Sequence, residues 1–174
     1  MLIVKKIFTN AYIIKNKFQK DDRGSFIKFK QEIKIKNKKI KFDQFCYSLN
    51  KDRYTLRGIH YQKYPFQEEK LITCVEGKIL DIIIDVNKKS DTYLSHKFIN
   101  LNQSNMLSLY IGKDYAHGFL TLSKNATILY QIKGIYKKFK QAGMLWNDPL
   151  LNIKWPKKPS VISARDKKFK KIIL

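Results

Sequence analysis

Before its last dozen residues, this chain shows no sustained apolar stripe at helical spacing. Short runs of alternating or β-rich character follow one another instead. They are LIVKKIF (2–8), SFIKFKQ (25–31), QFCYSLN (44–50), KLITCVEG (70–77), KILDIIIDV (78–86), HKFINL (96–101), NMLSLYIG (105–112) and ATILYQIKGIY (126–136). DDRG, EGK, NKKSDT and IGKD supply the turns between them. Many short strands at near-regular spacing imply an all-β sandwich or barrel, of which the jelly roll is one member. The tail SARDKKFKKIIL (163–174) is expected to form a short helix.

The chain has enough material for a packed interior. Hydrophobic residues make up 44% of its 174 residues, with 11 Phe, 10 Tyr and 2 Trp among them. No internal repeat and no Pro- or Ser-rich linker divides it, so one domain over residues 1–174 is expected. Two cysteines, Cys46 and Cys74, are too few for a disulfide framework. Both sit in apolar strand-like runs, where burial is the natural reading and nucleophilic chemistry is not. Lysines interrupt every apolar run near the start, which argues against a leader. Nowhere does the chain approach the ~20 apolar residues of a membrane helix. A cytoplasmic location with no membrane partner is the resulting expectation.

A net charge of +22, from 36 Lys+Arg against 14 Asp+Glu, raises the question of a nucleic-acid partner. The excess is mostly scattered Lys. Its densest stretch, KFKQEIKIKNKKIKF (28–42), alternates Lys with Ile and Phe as a half-buried strand with a solvated face would. Heavy use of Lys, Ile, Asn, Phe and Tyr throughout points to AT-rich coding. No nucleic-acid site is expected, although a positive field would favour an anionic diphosphate ligand.

Chemistry concentrates around two of three histidines. His60 lies in TLRGIHYQK with Arg57 before it and Gln62 after it, a polar row on an apolar scaffold. His117 lies in YAHGFL. A metal centre would need clustered His or carboxylate ligands, and Gln62 is a poor one, so no metal is expected. No Gly-rich phosphate loop is present.

Eight ordered motifs together resemble the dTDP-4-dehydrorhamnose 3,5-epimerases of the cupin class. They are DDRGSF (21–26), QFCYSLN (44–50), TLRGIHYQ (55–62), KLITCVEGKILDIIIDV (70–86), YAHGFLTLS (115–123), ILYQIKGIY (128–136), GMLWNDPLLNIKWP (143–156) and PSVISARD (159–166). The resemblance implies an all-β cupin-type jelly roll that acts on a nucleotide-diphospho-4-keto sugar as a homodimer without a cofactor. It implies that His60 is the catalytic base, oriented by Asp166, with Lys70 near the keto oxygen and Tyr130 as proton donor. Tyr136 matches an aromatic that stacks on the nucleotide base, and Gln44, Arg57 and His117 match substrate-contacting positions. Arg23 matches a nucleotide-binding arginine contributed by the neighbouring subunit.

A ketone at carbon 4 acidifies the hydrogens on carbons 3 and 5, so this set makes chemical sense. A positioned imidazole can remove such a hydrogen near neutral pH. A cation at the developing enolate oxygen favours the transition state over the ground state. A Tyr hydroxyl can return a proton from the opposite face. Taken singly, Asp166 reads equally well as a cap on the tail, Tyr136 as core, and WNDP (146–149) as a structural turn.

Three positions depart from the pattern. Lys28 and Gln141 stand where dTDP-specific members carry Glu, and Cys46 stands where an Asn is usual. These are nucleotide- or sugar-contacting positions, which tilts the expectation slightly from dTDP towards GDP. A sugar 3,4-ketoisomerase and a catalytically silent sugar-nucleotide-binding cupin are the competing readings. The sequence leaves open hexose or heptose, and inversion at carbon 3 alone or at carbons 3 and 5.

Overall fold

The structure, a computed structural model, describes residues 2–173. Its strands are β1 (Leu2–Phe8), β2 (Ala11–Lys15), β3 (Phe18–Asp21), β4 (Gly24–Ile27), β5 (Glu32–Ile35) and β6 (Lys38–Lys41). Then come β7 (Gln44–Asn50), β8 (Thr55–Gln62), β9 (Glu69–Glu76), β10 (Lys78–Asp85), β11 (His96–Asn102) and β12 (Leu107–Ile111). β13 (Tyr115–Thr121), β14 (Ala126–Lys133), β15 (Gln141–Gly143) and β16 (Val161–Ile162) complete the set. Each expected run therefore holds a strand, although the ends of SFIKFKQ and ATILYQIKGIY and the start of NMLSLYIG fall outside it. The Lys-rich stretch forms β5 and β6, and β2, β3, β8, β13, β15 and β16 are further strands.

Two sheets face each other. The first has the order β1-β2-β12-β9-β14-β7, and the second β11-β10-β13-β8-β15 with β16 joined in parallel to β8. Neighbours distant in sequence, such as β2 with β12 and β8 with β13, make this a jelly roll. Ile72, Ile79, Ile83, Leu109, Phe119 and Ile128 pack in the interior between the sheets. β10 reads as a nearly continuous apolar run because both its faces are covered. Ile79 and Ile83 point inward, while Ile82 and Ile84 pack with Met144 and Leu151 on the other side.

The Lys-rich stretch behaves as its alternation implied. β5 and β6 form a hairpin whose Ile33, Ile35 and Ile40 pack with Phe42, Tyr12, Leu71 and Tyr110 behind the first sheet. Lys34, Lys36, Lys39 and Lys41 stay exposed. Lys38 Nζ reaches both carboxylate oxygens of buried Glu69 at 3.0 Å, and the Tyr110 hydroxyl donates to the same group. Strand alternation then turns the next residue, Lys70, to the opposite face.

The tail is helical only briefly. It makes one 3-10 turn at Asp166–Lys168 and continues without regular structure to Ile173, while Leu174 lies outside the described residues. Tertiary contacts override local helix preference. The Phe169 ring lies edge-on to His60 at 5.7 Å and fills the space a side chain at Gly143 would need. Further on, the Ile172 N–H donates to Asp148 Oδ2 at 2.7 Å. Asp148 also accepts the Leu150 N–H, so the WNDP turn is a structural one.

Candidate active site

Between the open ends of the sheets lies a cavity of about 490 Å³, lined by Arg57, His60, Lys70, His117, Tyr130 and Asp166 among others. A second compartment of about 290 Å³ shares Cys46, His60, Lys70 and Ile132 with it and adds Gln44, Tyr136 and Gln141. Ten of the twelve positions singled out from the sequence therefore meet here. Arg23 and Lys28 do not.

The walls differ in origin. β8 and β13 of the second sheet supply Arg57, His60 and His117, while β9 and β14 of the first supply Lys70 and Tyr130. His60 and Tyr130 thus stand on opposite sheets. Arg57 and His60 are three residues apart, which in a regular strand would put them on opposite faces. The ladder between β8 and β13 shifts register between His117 and Phe119, opposite Gly58 at φ 107°, and both side chains consequently reach the cavity.

His60 Nε2 lies 2.8 Å from Asp166 Oδ1, and Asp166 Oδ2 accepts the Gly58 N–H at 3.1 Å. Asp166 is buried, which by itself would raise its carboxyl. The hydrogen bond and charge of His60, the Gly58 N–H and Arg165 outweigh that and hold it at about 2. An ionised carboxylate can only accept, so Nε2 carries the proton. Nδ1, with no partner among the described residues, keeps the lone pair. Asp166 does not cap the tail, since its carboxylate serves His60 and Gly58.

Lys70 Nζ pairs with Glu68 Oε2 at 3.1 Å, and Glu68 Oε1 accepts from Gln62 Nε2 at 3.1 Å. Arg57 Nε donates to Asn50 Oδ1 at 2.7 Å. Burial pushes the Tyr130 phenol up, the nearby Asp81 carboxylate adds to this, and Arg57 opposes it. Tyr130 is therefore a phenol that keeps its proton until a strong base takes it. Tyr136 is about half exposed, which removes the core reading, and its hydroxyl donates to Gln141 Oε1 at 2.9 Å. Gln44 Nε2 donates to the Gly134 carbonyl at 2.8 Å.

Cys46 departs from expectation. Cys74 is buried, but Cys46 is exposed and lines both compartments. β7 is an edge strand that turns Phe45, Tyr47 and Leu49 outward, leaving Gln44, Cys46 and Ser48 towards the cavity. An apolar run on an edge strand does not imply burial of the residues between. Arg23 sits on the β3–β4 hairpin, which is outside both large sheets, and pairs with Asp21 at 2.6 Å. Lys28 is exposed and lines neither compartment.

Two neighbours of the site went unnoticed in the sequence. Arg165 donates to Asp166 Oδ1 at 3.2 Å and to Gln141 Oε1 at 3.0 Å, and its Nη2 lies 3.1 Å from His60 Nε2 without bonding to it, since both nitrogens carry protons. Its position directly before Asp166 was the available signal. Asp81, fully buried, accepts from His117 Nε2 at 2.7 Å. Its signal was a lone carboxylate inside KILDIII.

The family profile for dTDP-4-dehydrorhamnose 3,5-epimerase matches residues 5–173. The Shigella flexneri enzyme of that name is 33% identical over 169 residues, covering 95% of this chain and 93% of that one. The Bacillus anthracis str. Ames structure superposes with a TM-score of 0.89 at 29% identity, covering 98% of each chain. That of Legionella pneumophila Philadelphia 1 gives 0.85 at 26% identity, covering 97% of this chain and 91% of the other. With this match over nearly its whole length, the chain belongs to the dTDP-4-dehydrorhamnose 3,5-epimerase family.

Proposed function

We propose that this chain epimerises a dTDP-linked 4-keto-6-deoxy sugar at carbon 3, carbon 5 or both, by removing a proton beside the ketone and returning one to the other face. The observation that carries this reading is the opposition of a carboxylate-oriented imidazole on one sheet and a proton-retaining phenol on the other. His60 Nδ1 takes the carbon-bound hydrogen, and Asp166 balances the imidazolium so formed. The electron pair moves onto the keto oxygen as an enolate, stabilised by the Lys70 ammonium. Tyr130 then delivers its proton to the carbon from the opposite wall, and the carbonyl re-forms. Nothing in this sequence of steps changes oxidation state.

The sugar would occupy the larger compartment. The nucleotide base would lie against Tyr136 in the smaller one, with the diphosphate near Arg165, which reaches Gln141 of the smaller compartment, and near Arg57 in the larger. The Bacillus anthracis relative was solved with TDP and PPi bound, and the Legionella relative with dTDP-4-keto-L-rhamnose. These ligands favour dTDP over GDP. The departures at Cys46 and Gln141 fall at the cavity and keep GDP as the alternative to be tested, whereas Lys28 lies away from it in a single chain.

The deciding experiment is incubation with dTDP- and GDP-linked 4-keto-6-deoxy sugars in deuterated water, read by NMR. Deuterium uptake with inversion is expected for the dTDP sugar. Turnover of the GDP sugar alone would replace the nucleotide assignment. Turnover of neither would favour a silent binding module.

A further inference from the structure

Behind His117 on the cavity wall stands a second carboxylate, which the steps above do not use. Asp81 lies mid-strand in β10 and points between the sheets with Ile79 and Ile83. It is 0% exposed. Its Oδ2 binds His117 Nε2 at 2.7 Å, while Oδ1 has no hydrogen-bond partner among the described residues. Burial pushes this carboxyl up, and the His117 charge works against that. A half-satisfied carboxylate in an apolar interior is a poor device for stability, because an apolar residue of similar size would avoid the desolvation altogether.

His117 connects this group to the chemistry. It pairs with His60 across the β8–β13 ladder, and its ring stands edge-on to Tyr130 with centroids 6.1 Å apart at 78°. We propose that Asp81 is a positioning residue that acts through His117 on Tyr130, fixing the wall from which the second proton arrives. The inference rests on the epimerase reading above.

The physical route has two parts. The Asp81 carboxylate accepts from Nε2–H, which sets the tautomer and the rotation of the His117 ring. That ring in turn limits where the Tyr130 ring can lie, and so where its hydroxyl meets the sugar. His60 has its own carboxylate, Asp166, on the other side of the site. The two pairs therefore serve the two walls separately: Asp166 the abstraction, and Asp81 the return.

The test uses Asp81→Asn, which keeps the shape and removes the charge. Deuterium exchange at carbon 3 depends on His60 and should stay within about threefold of wild type. Inversion depends on Tyr130 and should fall about 10²-fold, the scale of a small misplacement of a reacting group. Long-range ¹H–¹⁵N spectra of the ligand-free protein should show His117 leaving a pure Nε2–H tautomer. His117→Asn with Asp81→Asn should be no worse in inversion than His117→Asn alone, since Asp81 acts through that ring.

Equal loss of exchange and inversion in Asp81→Asn, with a lowered melting temperature, would assign Asp81 to structure and overturn the proposal. So would unchanged inversion, or an unchanged His117 tautomer. A wild-type protein that neither exchanges nor inverts would instead bring down the epimerase reading. The tautomer measurement still decides in that case whether Asp81 holds His117.

Discussion

His60 meets Asp166 through Nε2, and the second oxygen of the same carboxylate takes the N–H of Gly58, two residues before His60 on β8. One side chain thus fixes both the imidazole and the backbone that carries it. Asp166→Asn is expected to fold and to lose activity by ~10²–10⁴-fold, because an amide can present its NH₂ to Nε2 and reverse the tautomer. The carboxyl is held at about 2 against an ordinary 3.8. Its folded value is depressed, so its contribution to stability is present above about pH 4 and drains away as pH falls towards 2. Acid titrations followed by circular dichroism should show wild type losing stability over that window and Asp166→Asn losing less. Identical acid profiles would mean that the pair does not stabilise the fold.

In the proposed steps the base His60 and the acid Tyr130 stand on different sheets, which makes them separable. His60→Ala should abolish both deuterium uptake and inversion. Tyr130→Phe keeps the ring against His117 but removes the proton, so it should retain uptake at carbon 3 while inversion at carbon 5 drops ~10²–10⁴-fold. Inversion by Tyr130→Phe at the wild-type rate would reduce Tyr130 to packing and leave Tyr136 or water as the donor.

What could be read from the sequence follows from what is local. Alternation in LIVKKIF and QFCYSLN gave both strand bounds, and EGK gave the turn at Gly77, whose φ is 72°. Alternation does not reveal which strand is an edge, so the exposure of Cys46 was not legible. Nor does it show that the tail folds back on His60, which requires knowing where Gly143 leaves room for Phe169. Arg57 and His60 were correctly paired by their polarity but for an incomplete reason. Period two alone would separate them, and only the irregular ladder at Gly58 brings both inward. Asp81 escaped notice because its partner His117 is 36 residues away, across two strands.

Gly58 is accordingly expected to be intolerant. Its φ of 107° is unfavourable for any L side chain, and a Cβ there would lie 2.8 Å from both Gly118 Cα and the His117 carbonyl oxygen. Gly58→Ala should cost about 1–3 kcal/mol of stability through backbone strain. Relief of the clash must also move β8 against β13, so turnover should fall about 10²-fold even in the fraction that stays folded. Thermal melts paired with rates corrected for folded fraction will check this. Full specific activity in a merely less stable variant would show that the irregularity does not set the positions of Arg57 and His60.

Arg23 supplies the last prediction. Its side chain is 91% exposed, paired among the described residues only with Asp21, and carried on a hairpin outside both large sheets. Phe18 and Phe26 on the same hairpin are also exposed, at 43% and 65%. If the hairpin completes the site of a second copy, Arg23→Ala should weaken nucleotide-sugar binding without touching the chemistry within its own chain. Mixing it with the inactive His60→Ala under conditions that exchange subunits should then restore activity. In a statistical mixture half the dimers are mixed, and each contains one site with His60 and Arg23 both intact, about a quarter of all sites. Measured at substrate levels well below KM, the mixture should exceed the mean of the two separate variants by about a quarter of the difference between wild type and Arg23→Ala. Activity equal to that mean, from a protein shown to exchange subunits, would place Arg23 outside the neighbouring site and leave Arg57 and Arg165 as the cations for the diphosphate.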